Sequence, residues 1–422
     1  QKEGLESLWE WLELSLRDAL FRDARVLVEK LLNDRDLVPD CEPPAPLEHV
    51  YRDRPRRVQT LFGPVGLRRA YYHHTAAHTG RCPLDETLDL VRGYTPALAR
   101  LICRASSACG SYQEAASDLE AYAGLKLEGR NFGRLVAEVA PVLRQAHASL
   151  PAAQAQAPPV LYVSSDGTGV PMRSEELTGS NGRQPDGSAR TREVKLGCVF
   201  TQTTTDAQGR ALRDPDSTSY VGTFEGCRQI GSLLRQEAFR RGYAQAKKTV
   251  YLGDGAAWLW ENARLNFPDA VQILDFYHAS EHVGDLTEAL YGPGSQQAND
   301  AARSWSRVMH RTSAAPLIQR ARRLLQADGH TMDPERRQSI QREIDYFQTN
   351  AHRTRYGEFR KKGFFIGSGV VEAGCKTVVG RRFKQSGMFW SEQGAEDLLS
   401  LRCLILGPHF DSAWKARTPI LQ

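Results

Sequence analysis

The chain has 422 residues, with 55 Lys and Arg against 50 Asp and Glu for a net charge of +5. That length predicts about two to four domains, and 41% hydrophobic with 25% charged residues excludes a disordered or fibrous chain. No apolar run approaches the ~20 residues of a membrane-spanning helix, and the net charge is too small to demand a nucleic-acid partner by itself. Eight cysteines, none in a C-x-x-C pair, fit neither a disulfide framework nor a zinc ribbon. A reducing cytoplasm is therefore expected. The charged N-terminus does not read as a signal peptide. The first residue is Gln1 rather than Met, which leaves the true start open.

Along the chain, Leu5, Leu8, Trp9, Leu12 and Leu16 recur at 3–4 spacing and predict a helix over 5–33. Residues 57–72 alternate around Gly63-Pro64 and predict a β-hairpin. Helical periodicity returns from Thr95 to Ser149. Within it, a short helix from Ser111, a turn at Ala123-Gly124-Leu125 and a helix from Gly129 to Leu143 read as a helix-turn-helix. Lys126, Arg130, Asn131 and Arg134 are its candidates to meet DNA, although any helical hairpin with surface arginines has the same pattern. Residues 1–94 then form a helix and hairpin region, and 95–149 a DNA-binding region. An Ala, Gln and Pro-rich linker covers 150–159.

Beyond the linker the pattern changes to strands at 160–167, 194–200, 219–224, 249–255 and 270–275. Helices are expected at 227–241 and 256–265. This order predicts an α/β fold with a mixed sheet covered by helices. A polar, Gly-rich loop spans 173–192, helices fill 279–362, and two more follow at 370–384 and 391–406.

Two strands end in Asp-Gly, at Asp166-Gly167 and Asp254-Gly255, at the sheet edge where open α/β sheets hold ligands. Asp-Gly is also common turn chemistry. If the strands are neighbours, two converging carboxylates repel unless a cation sits between them. Hard oxygen donors suit Mg²⁺, and a pair of such ions can activate the attacking oxygen of a phosphodiester and stabilise the leaving one. A third acid, Glu372, opens a helix after Gly367-Ser368-Gly369, with Lys376 one turn later. From His352 to Lys384 the chain carries nine Lys and Arg against two Glu. Lys376, Arg381, Arg382 and Lys384 are thus candidate phosphate ligands. Glu392 and Glu396 are alternative third acids. Trp390 either stacks on a base or packs against the last helix.

Asp166-Gly167-Thr168-Gly169, Leu252-Gly253-Asp254-Gly255-Ala256, the run from Leu274 to His282 and Gly367-Ser368-Gly369-Val370-Val371-Glu372 together resemble the DDE transposases of bacterial insertion sequences, most closely the ISKra group. The resemblance runs from about 160 to 406. It implies a ribonuclease-H-like core, its first part at 160–284 and its last helices at 366–422, split by a helical insertion at 285–365. It also implies Asp166, Asp254 and Glu372 as a triad for two Mg²⁺ ions, with Mn²⁺ as a substitute. Phosphodiester hydrolysis would be followed by strand transfer on nucleoid DNA, performed by a homo-oligomer with no membrane partner. Asp275 and His278 match a D-x-x-H element of related transposases. His278 and His282, at i and i+4, share a helix face, where packing or phosphate contact is expected rather than zinc. Family members often carry a C-x-x-C between Tyr71-Tyr72 and Pro83-Leu84-Asp85. Here those positions are His74 and Ala77, so a metal site would need His78 and Cys82 instead. Two other readings share these features: a nuclease of the same fold that cuts without joining, and a domesticated DNA-binding protein without catalysis.

Overall fold

The computed structural model describes residues 2–151, 157–177, 191–328 and 332–420. The chain divides into two compact units, residues 1–147 with 411–422, and residues 148–410. Most of the expected linker (152–156) and of the expected Gly-rich loop (178–190) lies outside the described residues.

The first unit opens with α1 (Lys2–Leu32), followed by β1 (Glu48–Thr60), β2 (Gly63–His74) and β3 (Thr79–Arg81) in one antiparallel sheet. The hairpin is longer than its alternation predicts. It turns at Leu61-Phe62, because Thr60 pairs with Gly63; Gly63, at φ +106°, begins the return strand instead of forming the tip. Its small core joins Val58, Val65, Leu67, Leu84 and Leu90 to Val28 and Leu32 of α1. The short α2 (Pro83–Thr87) carries the buried Asp85, held by Arg56 and by Arg69 Nε at 2.8 Å. Three helices follow: α3 (Pro96–Ala108), α4 (Tyr112–Ala123) and α5 (Arg130–Ala148). Ser111 caps α4 by accepting the Glu114 N–H, and Gly124 closes it at φ +67°, where a left-handed backbone favours glycine. The last segment, 411–422, groups with this unit and not with the helices before it. Asp411 accepts from Arg100 and Arg104 at 2.7 Å each, and Arg417 pairs with Asp89.

The second unit is built on a five-stranded sheet. Its strands are β4 (Val160–Pro171), β5 (Thr191–Gln202), β8 (Ser219–Thr223), β9 (Lys248–Gly253) and β10 (Val271–Leu274), with a small hairpin of β6 (Thr204–Thr205) and β7 (Ala211–Leu212) beside it. The order is β10-β9-β4-β5-β8. β4, β5 and β8 run antiparallel, while β9 and β10 lie parallel to β4. The parallel strands return through α6 (Cys227–Arg240) and α7 (Ala257–Asn266). β4 and β9 read as continuous apolar runs because Leu161–Ser165 and Thr249–Gly253 are buried on both faces.

Adjacent residues of β5 show how both faces are covered, since neighbouring side chains on a strand point to opposite sides. A Cβ on Gly197 would lie 2.6 Å from Leu234 of α6. Leu196, on the other face, lies beside Gly374, whose Cβ would come 2.8 Å from Tyr220 and 3.2 Å from Leu196. Gly374 ends α13 (Gly369–Gly374), which continues through a π-helical turn at Cys375–Gly380 into α14 (Arg381–Phe383). Between β10 and α13 come α8 (Phe276–Tyr291), α9 (Gln296–Arg311), α10 (Ala315–Asp328), α11 (Pro334–Thr349) and α12 (Tyr356–Lys361). α15 (Glu392–Leu406) packs on β8, and α16 (Phe410–Ala416) follows. No helix among the described residues is long and apolar enough to cross a membrane.

Gly374 brings α13 onto the sheet because nothing larger fits there. Gly374→Ala is expected to destabilise the chain by about 1–3 kcal/mol, the usual cost of overpacking. It should appear as a lower midpoint in urea with an unchanged slope.

Candidate active site

Asp166 is not at a strand end. β4 continues through it to Pro171, because β5 pairs with it all the way, Asp166 opposite Leu196 and Pro171 opposite Thr191. Only the parallel neighbour stops: β9 ends at Gly253. Ser164 lies beside Leu252, so Asp166 and Asp254, each two residues further, come level where β9 gives way to a loop. Directly paired residues share a face, so Asp166 stands with Leu196 on the side that carries α13 and Glu372. Burial holds the Asp166 carboxyl above the usual aspartate range, and the negative charges of Asp254 and Glu372 raise it further. The Gly167 N–H and the Cys375 thiol oppose this by donating to it. The fold thus brings Asp254 and Glu372 within electrostatic reach of Asp166. The ligand atoms of the trio do not all lie within 4.8 Å of one another, a looser arrangement than one small cation's shell.

Asp254 accepts the Ala256 N–H at 3.0 Å. Between them, Gly255 has φ +109°, and a Cβ there would lie 2.5 Å from the Tyr346 hydroxyl. This glycine supplies a left-handed turn and lets α11 approach the site. Tyr346 in turn stacks on His282 at 3.7 Å between centroids. Burial, then the charge of Asp254, pushes its phenol well above the ordinary range.

Glu372 is positioned by a chain of hydrogen bonds that begins at Asp275. Asp275 is buried, caps α8 by accepting the His278 N–H at 2.7 Å, and accepts both the backbone N–H and the hydroxyl of Ser368, the latter at 2.9 Å. Ser368 Oγ is also 2.8 Å from Glu372 Oε1. A hydroxyl has one hydrogen to give. That hydrogen goes to Asp275 or to Glu372 at any one moment, so the hydroxyl links the two carboxylates. His278 is partly exposed and 3.2 Å from Glu281. His282 Nδ1 is 2.7 Å from Glu343; with Asp285 this pair brings three ligand atoms within 4.8 Å. The Tyr346 stack and the Glu343 bond hold the His282 ring in place.

The alternative third acids have other work. Glu392 pairs with Arg192, and Glu396 accepts the Phe224 N–H at 2.8 Å. Among the candidate cations, Lys376, Arg381 and Lys384 are exposed, and Lys384 Nζ donates to Thr168 Oγ1 at 2.6 Å, two residues from Asp166. Arg382 corrects the sequence reading. It is completely buried and lies 5.0 Å from the Trp390 ring centroid, a structural cation and not a free phosphate ligand. The sequence reading took it with Arg381 and Lys384 as part of one basic run, but the π turn at Cys375–Gly380 shifts the helix register there. Trp390 packs: its Nε1–H donates to the Phe383 carbonyl at 3.2 Å. Arg402 of α15 satisfies the carbonyls of Val378 and Thr377 in the π turn at 2.6 Å each. Burial depresses its guanidinium to about 10.

Sequence reasoning missed two side chains at the acids, Cys375 and Tyr346, and a buried lysine on the other face of the sheet. Lys195 is paired next to Asp166 on β5, opposite Gly167, is buried, and lies 4.5 Å from the Trp258 ring centroid. The signal was a lone lysine inside an apolar strand. Cys375 and Tyr346 carry no sequence signal, because only the packing of their helices brings them to the site.

In the first unit, Lys126, Arg130 and Arg134 are exposed around the start of α5. Arg130 is paired with Glu128 at 2.7 Å. Asn131 differs from the expectation: it bonds the Tyr94 hydroxyl and lies 3.4 Å from Glu128, so its amide is engaged inside the unit. In the 71–85 segment, His74 Nδ1 accepts the Ala77 N–H at 3.0 Å, and Arg81 bridges Glu42 and Glu48. Among the described residues, His74, His78 and Cys82 do not form a converging trio of ligand atoms.

A raised Asp166 pKa has a definite sign. The folded chain takes up this proton at higher pH than the unfolded chain, so the group's contribution to stability rises on acidification. In the presence of a chelator, Asp166→Asn is therefore expected to raise the melting temperature by a few degrees at neutral pH. The difference from wild type should shrink as pH falls toward the ordinary aspartate value of 3.8. A variant that melts lower at neutral pH would show that Asp166 is not under repulsion.

No curated protein matches the chain. A family model described as an uncharacterised protein family, UPF0236, matches residues 9–407. That match spans both units and includes all three acids, and the chain belongs to this family.

Proposed function

We propose that the chain is a DDE-type DNA transposase with a ribonuclease-H-like catalytic core. The observation that carries this reading is the convergence of Asp166, Asp254 and Glu372, from a central strand, the loop after its parallel neighbour and a helix on the same face. The strand order, three antiparallel strands followed by two parallel ones beside the first, supports the fold assignment. The donor set supports the cofactor: three hard carboxylate oxygens that repel one another suit Mg²⁺ or Mn²⁺. When bound, a pair of such ions would activate the attacking oxygen and stabilise the leaving oxygen of a phosphodiester.

The chain's own part is positioning. Asp166 sits on the central strand of the sheet, and Ser368 and Asp275 position Glu372. Lys384 and Lys376 present charge to phosphate oxygens beside the acids. Exposed Lys126, Arg130 and Arg134 provide further phosphate contacts on the first unit, and DNA binding by these groups should weaken steeply with salt. The protein would act in the cytoplasm on the nucleoid, first by hydrolysis at an element end and then by attack of the freed 3′-OH on target DNA.

Purified chain with Mg²⁺ or Mn²⁺ is expected to nick supercoiled plasmid. Asp166→Ala, Asp254→Ala and Glu372→Ala should each lower the rate at least about 1,000-fold, the scale of losing an essential electrostatic group, while DNA retention stays within a few fold. Oligonucleotides carrying the element ends should then be joined to target DNA. Cutting without joined products would favour the nuclease reading. DNA binding that persists with no metal-dependent cutting of end-bearing substrate would overturn the catalytic assignment.

A further inference from the structure

The longest helix of the first unit has two apolar faces, and its fold uses one. The inner face docks on the hairpin: Phe21 meets Phe62 at 5.9 Å between centroids, Arg25 donates to the Phe62 carbonyl at 2.9 Å, Glu29 accepts the Gly66 N–H at 2.8 Å, and Val28 and Leu32 join the small core. On the far side run Leu8, Leu12, Leu16, Leu20, Leu27 and Leu31, each 44–58% exposed. At 3.6 residues per turn these six lie within an arc of about 140°. Trp9 lies in the same arc and is 63% exposed. Residues 8–14 are exposed on every side. Single exposed leucines need no explanation, but six along one face, with Glu13, Asp23 and Lys30 as the charged residues among them, mark a contact surface.

We propose that this outer stripe of α1 is an interface with a second copy of the chain, in which the two α1 helices pack antiparallel. Two physical arguments select that occupant. The first is area: with Trp9 and Val26 the stripe offers about 800 Å² per copy, which is what each partner contributes to a standard interface. The second is charge. Glu10 and Glu13 are the only charged residues in 8–16, whereas 17–32 carries four cations against three acids. A parallel pair would set the acidic ends against each other. An antiparallel pair sets each acidic end against the other copy's half of net charge +1, in which Lys30 lies within the stripe. It also matches the spacing, since Leu8 of one copy then lies beside Leu31 of the other, and Leu12 beside Leu27. Such a contact is isologous and closes at two. It does not depend on the catalytic reading.

Sedimentation equilibrium of the full chain without DNA tests it. The wild type is expected to be a dimer at micromolar concentration. The double variant Leu12→Glu/Leu16→Glu should be a monomer, with dimerisation weakened at least about 100-fold and an unchanged circular dichroism spectrum, because both side chains are exposed in the single chain. Orientation is read in a Cys41→Ser background, which removes the exposed native thiol. Leu12→Cys mixed with Leu27→Cys should form a mixed disulfide, and Leu12→Cys alone should not. A wild-type monomer, a dimer that ignores the two glutamates, or a Leu12→Cys self cross-link would each overturn the proposal. Binding of a monomeric wild type to phosphatidylserine vesicles, lost in the double variant, would assign the stripe to a lipid surface instead.

Discussion

The geometry of the second unit depends on one buried carboxylate. Asp275 receives the His278 N–H of the first turn of α8 on one oxygen and the Ser368 backbone and hydroxyl on the other. Its own N–H reaches the Gly253 carbonyl at 2.7 Å, so the ends of two parallel strands, the start of a helix and the segment leading to Glu372 meet at a single residue. A buried charge is tolerable only when its oxygens are fully hydrogen-bonded, and this satisfaction fixes where each contributing segment must lie. The distance in sequence from Asp275 to Ser368 is filled by the five helices α8 to α12. They can be inserted there because the chain leaves and re-enters at one point: Phe276 N–H bonds the Ile366 carbonyl at 2.9 Å.

Against this tether works the repulsion among Asp166, Asp254 and Glu372. Gathering like charges in a half-buried site costs folding free energy, and stability optimisation alone would remove it. Burial, with the neighbouring negative charges, raises the Asp166 pKa, and perturbations of that kind are more frequent at functional sites than elsewhere. The neighbours relieve the strain only in part. The Gly167 N–H and the Cys375 thiol donate to Asp166, while Lys195 is directed to Glu193 at 2.7 Å and so leaves the acids without a direct ion pair to it.

The helix that carries Glu372 shows how a local irregularity serves the site. Its π turn leaves backbone carbonyls that a regular helix would pair internally, and Arg402 from α15 satisfies two of them. The same turn changes which cations face outward. Arg381 and Lys384 remain exposed, whereas Arg382 is drawn beneath Trp390.

Much of this was legible from residues alone, for identifiable reasons. Strand and helix existence followed from periodicity, and the long buried runs of β4 and β9 followed from their unbroken apolar character. The two Asp-Gly pairs and Glu372 stood out because carboxylates beside glycine in apolar surroundings are chemically conspicuous, and Asp275 stood out within its D-x-x-H run. Several features depended on pairing between distant segments. β4 runs past Asp166 because β5 continues to pair with it. Arg382 is buried because a π turn shifts the helix register. Asn131 is engaged because Tyr94 lies beside it, and Cys375 and Tyr346 reach the acids only through packing. Local sequence determined which chemical groups are available and on what kind of element they sit, because propensity and periodicity act over a few residues. The tertiary structure alone decided which of them meet, because burial, register and hydrogen-bond satisfaction are settled between segments a hundred residues apart.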